Sequence, residues 1–517
     1  MTFFDPTKLN ELLAVLPEIV LVIWALAILA FDLLSARGVS RRALGILTAL
    51  GLMGALVACV PAALTAASYA ATDPTKLVVL GGLVRFDLYA FAFRGIFIVG
   101  AALTALVSID FRAARAGGEY YALLLLATVG MGLMAASNDL MLLYLATETA
   151  SISLYLLAGF MRDTKLSAEA GIKYFVFGAV TSTIMLFGLS YVFGLSGATQ
   201  YQVVADRLAL SDSKLLLTFS LLLVAVGFLF KTSTVPFQWW APDVYQGAPT
   251  PVAGFISTAS KAAGFAIMLR FLPYVFSPVP SHYVEGSGVW IAMMVPLAIL
   301  TMLVGNLMAI NQSNVKRMLA YSSIAQAGYM LIGVAGFAAS FGQNTAETTN
   351  ALAAVIFYLI TYTLTNIGAF AVTGIVAQRV GGDDFKDFAG LSRRSPYLAL
   401  AMVAVMLSLL GAPPLVGFAG KFLLFRSALS VAAQFNNPVF IWLVVLAVAM
   451  VLVSVFYYLR VVLAMYTQRA ANDAQPLKVS APVAWAVGLC AFGVIATLLA
   501  IYPLWELARA AALSLML

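Results

Sequence analysis

Five ionisable side chains stand inside long apolar stretches of this 517-residue chain. Glu148 lies within LLYLATETASISLYLL, with Thr147, Thr149, Ser151 and Ser153 around it. Lys231 closes LLLVAVGFLFK, Lys261 follows PVAGFISTAS, Lys421 follows GAPPLVGFAG, and Lys173 sits one turn behind Glu169. The chemistry open to such a set is proton exchange, because carboxylates and primary amines each bind one proton and a low dielectric makes the charged form costly. A structural ion pair that fixes helix register is the bland reading of Glu148. Lys173 and Arg270 lie nearer the ends of their stretches, where a long side chain can reach the headgroup region. Glu18, Asp87, Arg94 and Arg460 read as structural or interfacial. The sequence has one histidine, His282 in the polar segment SPVPSHYVEG, and two cysteines, Cys59 and Cys490, in separate apolar stretches. An iron–sulfur cluster, a structural zinc or a bis-histidine haem needs more ligands than these. No redox centre and no cofactor are expected in this chain.

The elements that hold these residues follow from composition. Hydrophobic residues make up 63% of the chain and charged residues 10%, with a mean hydropathy of +0.99. Soluble domains carry about 25% charged residues, so the solvent here is a lipid bilayer. A spanning helix takes about 20 residues, and the apolar runs predict fourteen spans. Spans one to seven cover 12–34, 43–69, 86–109, 119–136, 139–161, 168–194 and 213–235. Spans eight to fourteen cover 250–274, 289–311, 315–340, 349–378, 397–429, 438–466 and 481–512. The first run is too long for a signal-peptide core. The net charge of +7 points to topology and not to nucleic acid. Fifteen Lys and Arg follow odd-numbered spans, Arg41, Arg162, Arg317 and Arg394 among them, against six on the opposite face. That asymmetry predicts odd loops in the cytoplasm and both termini outside.

Two of the spans are interrupted. GFLFKTSTVP contains Gly227 to Lys231 with Pro236 after it, and GAPPLVGFAGK contains Gly417 to Lys421 with Pro413 and Pro414 before it. Both read G-F-x-x-K. Proline removes a backbone donor and clashes with the preceding turn, so each span should unwind near its lysine. Interrupted spans in matching positions of two halves point to an internally repeated transporter, and proline on opposite flanks suits inverted halves.

Specific strings add a resemblance. YLATETASISLYLLAGF (144–160), EAGIKYFVFGA (169–179), PFQWWAPDVYQGAPTPV (236–252), GNLMAINQSNVKRMLAYSSIAQAGYMLIG (305–333), FAGLSRRSPYLAL (388–400) and GAPPLVGFAGKFLLF (411–425) follow one another along the chain. They resemble the antiporter-like membrane subunits of respiratory complex I, NADH-quinone oxidoreductase, over almost the whole chain. The Asp243 to Pro249 version looks like the subunit N (mitochondrial subunit 2) type. The resemblance implies an all-α polytopic fold of about fourteen transmembrane helices with two inverted five-helix repeats, each holding a broken helix. Its divisions would be 1–117 for helices one to three, 118–275 for the first repeat, 288–467 for the second, and 480–517 for helix fourteen. It also implies that Glu148, Lys231, Lys261 and Lys421 occupy the family's proton-carrying positions, with Lys173 beside them. Gln326 stands in SSIAQAGY where many relatives have histidine. Glutamine cannot titrate, so a path there is expected to use water, or Lys261 and Tyr329.

The function so implied is proton translocation in a bacterial plasma membrane, driven by redox chemistry in other subunits. FMN, iron–sulfur clusters and quinone are expected in those partners. The neighbours expected are antiporter-like subunit M, the small subunits K and J, and the lateral helix of subunit L. Glu148 is expected to hold a proton on Lys231 when the two are close and to release it along Lys261 towards Lys421 when they part. A subunit of a cation/proton antiporter is the rival reading, and an inert membrane scaffold is a further one.

Overall fold

A computed structural model describes residues 6–35, 42–111, 117–211, 213–276, 289–343, 345–469, 476–496 and 499–516; His282 lies outside them. Helix dominates because a bilayer offers backbone groups no hydrogen-bond partner, so each spanning segment must satisfy its own. The helices are α1 (Pro6–Leu34), α2 (Arg42–Thr72), α3 (Leu88–Ser108), α4 (Gly118–Ala136), α5 (Leu140–Ala158), α6 (Lys165–Ser196), α7 (Tyr201–Ala209), α8 (Lys214–Thr232), α9 (Trp240–Gly247) and α10 (Thr250–Phe255). They continue with α11 (Lys261–Phe276), α12 (Val289–Ile310), α13 (Val315–Ser340), α14 (Thr345–Val380), α15 (Leu391–Arg394), α16 (Pro396–Leu410), α17 (Val416–Gln434), α18 (Val439–Thr467), α19 (Ala481–Ala496) and α20 (Ile501–Leu515). Among the described residues one small sheet pairs Val78–Val79 with Val84–Arg85. Asp87, Asp139 and Asn314 start α3, α5 and α13 by accepting hydrogen bonds from first-turn amides, the role for which short polar side chains are selected.

Thirteen described helices are long and apolar enough to cross a membrane, and α19 with α20 makes fourteen if the pair is one span. That pair departs from the predicted span 481–512. Its two axes differ by 91°, and Pro503 lies in the first turn of α20, where proline favours a helix start. The interruption in predicted span 397–429 appears as α16, a non-helical stretch, and α17. Predicted span 213–235 ends as α8, which stops at Ser233 in the left-handed region (φ 58). Between α10 and α11 one turn, Ile256–Ser260, is wound as a π-helix, a local feature often found at functional sites.

Burial is graded across the bundle. The segment from α10 to α11 and α13 are buried on all sides, and α14 nearly so; α1, α6 and α18 present most of their surface outward. Exposed Ile172 and Phe175 on α6 and Trp442, Leu452 and Phe456 on α18 suit lipid or a neighbouring subunit. The polar residues named below sit mainly on the central helices.

Candidate functional site

The three lysines Lys231, Lys261 and Lys421 are buried, with 4%, 0% and 3% of their surface exposed. Lys231 lies in the last turn of α8 and donates to Ser151 Oγ on α5 at 2.7 Å. Glu148 is one turn from Ser151 on the same helix, half-buried, and accepts from the Ser182 hydroxyl on α6. The expected close pair of Glu148 and Lys231 is therefore not formed directly. A serine takes the lysine and another serine takes the carboxylate, because the residues closest to the lysine tip on α5 and to the carboxylate on α6 are hydroxyls. Among the described residues no carboxylate forms an ion pair with any of the three lysines.

Lys261 follows the π-turn and donates to both the carbonyl and the hydroxyl of Ser323 on α13, each at 2.5 Å. It lies beside Lys231 because α8 and α11 approach at Gly264. A Cβ there would stand 2.9 Å from Thr232 and 3.1 Å from Lys231 side-chain atoms. Tyr245 on α9 and Tyr362 on α14 have hydroxyls close to Ser323, yet both are buried without a hydrogen-bond partner, as are Ser233 Oγ and Ser260 Oγ. Buried polar atoms are otherwise satisfied by protein or water, so the Tyr245, Tyr362 and Ser233 hydroxyls around Ser323 make a polar environment suited to water.

Lys421 owes its place to the broken span. The turn at Gly411 (φ 90) ends α16 and leaves the Leu409 and Leu410 carbonyls without helical donors, as a helix C-terminus must. Lys421 Nζ donates to both, at 2.7 and 3.0 Å, a cation at the negative end of a helix. Its Nζ also lies 4.9 Å from the Tyr329 ring centroid. Gly411 is required twice over, since its φ disfavours a side chain and a Cβ would come within 3.1 Å of the Lys421 stem.

Gln326 lies between the second and third lysines. Its amide donates to the Leu409 carbonyl at 3.0 Å and to Tyr458 OH at 3.0 Å, and its oxygen accepts from Tyr358 at 2.5 Å. Tyr458 OH in turn bonds Ser322 Oγ at 2.5 Å. Where a path through water, or through Lys261 and Tyr329, was expected, the hydrogen bonds of Gln326 itself go to Tyr358, Tyr458 and Leu409. The Leu409 carbonyl is thus shared by Gln326 and Lys421, and Ser322 adjoins the Ser323 that holds Lys261.

Lys173 neither snorkels nor joins the row. It donates to Glu169 at 2.5 Å and to Asp243 at 2.6 Å, and the other oxygen of Asp243 accepts from Arg317 at 2.5 Å. Asp243 thereby ties α6, α9 and α13 together. Partial burial opposes its ionisation, but the hydrogen bonds from Lys173 and Arg317 prevail and hold its carboxyl below the usual carboxylate range. Arg270 does not snorkel either. It grips Asp87 through two bonds of 2.7 and 2.8 Å. Arg94 and Glu18 bond at 2.7 Å, apart from the lysine row.

Sequence reasoning missed Asp243 as a junction and missed Ser182, Ser323, Tyr358 and Tyr458 altogether. The available signal was polar residues inside apolar runs, as in the Ser322, Ser323 and Gln326 stretch. Among the described residues no cluster of His, Cys, Asp and Glu could hold a metal ion.

Residues 137–452 match the family described as NADH:quinone oxidoreductase/Mrp antiporter, TM. The NADH-quinone oxidoreductase subunit N of Moorella thermoacetica is 41% identical over 490 residues, covering 94% of each chain. A chain of respiratory complex I from Thermus thermophilus with bound aureothin superposes with a TM-score of 0.75 at 30% identity, over 95% of this chain and 99% of that one. A chain of the Mrp complex from Dietzia sp. shares the fold, with a TM-score of 0.77 at 20% identity over 98% of this chain and 97% of its own. With this likeness spread over nearly its full length, the chain belongs to the NADH-quinone oxidoreductase subunit N family, the antiporter-like membrane subunits of respiratory complex I.

Proposed function

We propose that the chain carries protons across a bacterial plasma membrane, coupled to quinone reduction in other subunits of the complex. The observation that carries this reading is the buried row Lys231, Lys261 and Lys421, each held by hydroxyl or carbonyl oxygens and none by a carboxylate. Such oxygens accept a hydrogen bond from an ammonium or from an amine, so each lysine can change protonation without losing its partner. A permanent buried ion pair would resist that change.

Glu148 acts at the entrance. At low effective dielectric an opposite charge is felt beyond hydrogen-bond distance, so charge on Glu148 acts on Lys231 across Ser151 without contact. Loss of that charge, or movement of α5 against α8, loosens the proton on Lys231. The proton then passes to Lys261 beside Gly264, and through Ser323, Ser322 and Tyr458 with water towards Lys421. Gln326 cannot titrate. It orders the Tyr358 and Tyr458 hydroxyls and sets the Leu409 carbonyl that Lys421 uses. Lys173, whose charge is compensated by Glu169 and Asp243, positions the broken segment and does not carry the proton.

Glu148 is partly exposed at mid-span, beside exposed Thr149. In a bilayer such a carboxylate needs cover from protein, which supports assembly with neighbouring membrane subunits of the M, K and J kinds and with the lateral helix of subunit L. FMN, iron–sulfur clusters and quinone belong, in this reading, to partner subunits. The divisions 118–275 and 288–467 would be the two inverted repeats, with both termini periplasmic.

The test is a double-mutant cycle in the assembled complex, reconstituted in vesicles with proton uptake and quinone reduction recorded together. Glu148→Ala and Lys231→Ala should each cut proton uptake strongly, and the double variant should be no worse than the more severe single one. Unchanged uptake in assembled Lys231→Ala would assign the lysine to structure alone.

A further inference from the structure

Lys421 closes the lysine row, and a polar cleft opens beside the helix that carries it. The cleft encloses about 340 Å³ between α14, α17 and α20, with Glu347, Asn350, Arg426, Ser427, Ser430 and Arg509 in its lining. Glu347 lies in the first turn of α14, at the face that the proposed topology puts in the periplasm. On α17 the lining runs from Ser430, one turn before the helix end, down to Leu423, roughly 10 Å of helix. Lys421 stands just deeper on the same helix.

What separates the cleft from the row is apolar. Leu424, Val355 and Ala351 are fully buried. Leu424 and Val355 close on Gly333 of α13, where a Cβ would stand 2.7 Å from the one and 2.5 Å from the other. Deeper in the same seam a Cβ on Gly420 would overlap the ring of Tyr358, whose hydroxyl bonds Gln326. The hydroxyls around the row thus reach one side of this seal, and the cleft reaches the other. From Tyr358 to Asn350 the gap along α14 is about 12 Å. It stays dry while α14 and α17 are in contact, which prevents a leak.

The lining also selects a release group. Asn350, Ser427 and Ser430 hold water by hydrogen bonding and do not titrate. Arg426 and Arg509 keep their protons, and Glu506 bonds Arg509 at 3.4 Å from the same helix. Among the described lining residues, Glu347 is the group that can take up a proton and give it back.

We propose that this cleft is the outlet of the lysine row and that Glu347 is its release group. The outlet rests on the reading that protons cross through the row, and it supplies that row with an exit. When the seam at Leu424 and Val355 parts and admits water, the Lys421 ammonium gives its proton to that water. The water hands it to the Glu347 carboxylate, and Glu347 returns it to the periplasm. Lys421 is left as the amine, ready for the next proton from the row.

The test uses the assembled complex, with proton uptake and quinone reduction recorded together in inverted vesicles. Ser430→Cys places a thiol in the lining, whereas Cys59 and Cys490 are buried. Spheroplasts are first treated with sulfonatoethyl methanethiosulfonate, which does not cross the membrane and meets the periplasmic face alone; modification is confirmed by mass spectrometry. Modification should lower the protons taken up per quinone reduced, relative to the unmodified variant, to the level of Lys421→Arg. Glu347→Gln should give the same loss, Glu347→Asp should recover most of it, and joining Glu347→Gln to Lys421→Arg should deepen neither. A merely structural Glu347 would add its loss to that of Lys421→Arg, and that result would overturn its release role, as would wild-type uptake by Glu347→Gln. Failure of the reagent to reach Ser430→Cys, or unchanged uptake after modification while Lys421→Arg is impaired, would place the outlet elsewhere. Wild-type uptake by Lys421→Arg would refute the row itself, and the outlet with it.

Discussion

Lys421 separates carrying a proton from filling space. It is buried against two helix-end carbonyls and one tyrosine ring, partners that a guanidinium could also satisfy. Arginine keeps its proton in the accessible pH range. Lys421→Arg should therefore preserve assembly and impair proton uptake, and wild-type uptake by that variant would remove Lys421 from the pathway. The residue types were legible in the sequence because charge in an apolar run is rare and needs a reason. Their partners were not, because Ser151, Ser182 and Ser323 look like the many serines that merely bond their own helix. Glu148 and Lys231 illustrate the limit. Opposite charges in neighbouring spans invite a pairing, yet which side chain reaches which is set by helix rotation, and a serine stands at the reach of each.

At the scale of elements, the site depends on close approach of helices more than on any one bond. Gly264 lets α8 meet α11 beside Lys231, whereas Gly54 on α2 faces open space. Gly264→Val should overpack this crossing, at a cost of about 1 to 3 kcal/mol, and lower the thermal stability of the purified complex. Gly54→Ala should leave it unchanged or slightly raised, since alanine favours helix. Equal stability of the two variants would show that the crossing tolerates separation. The breaks beside Lys231 and Lys421 were readable from Pro236, Pro413 and Pro414 because proline acts locally. The π-turn before Lys261 was not, since ISTAS has nothing in its composition to distinguish it from ordinary helix. The 91° bend after α19 was hidden for a related reason: apolar periodicity continues through it, and Pro503 alone marks the restart.

At the scale of the whole molecule, the chain is a bundle whose least exposed helices hold its polar residues and whose outermost helices are apolar. Composition made the membrane and the span count legible, since they depend on sums over many residues. The loop charges predict a direction, with the end of α14 in the cytoplasm. A reporter active only in the periplasm should be silent when fused after Gly382 and active when fused after Leu517; the opposite pattern would invert the direction of transport. The central claim, that protons cross through the buried lysine row, is tested most directly at its middle member. Lys261 is fully buried, and Lys261→Met keeps an unbranched side chain in its place while removing the titratable nitrogen. In vesicles containing the assembled complex, with proton uptake and quinone reduction measured together, the account predicts a marked fall in protons taken up. Wild-type uptake at wild-type quinone turnover would contradict it.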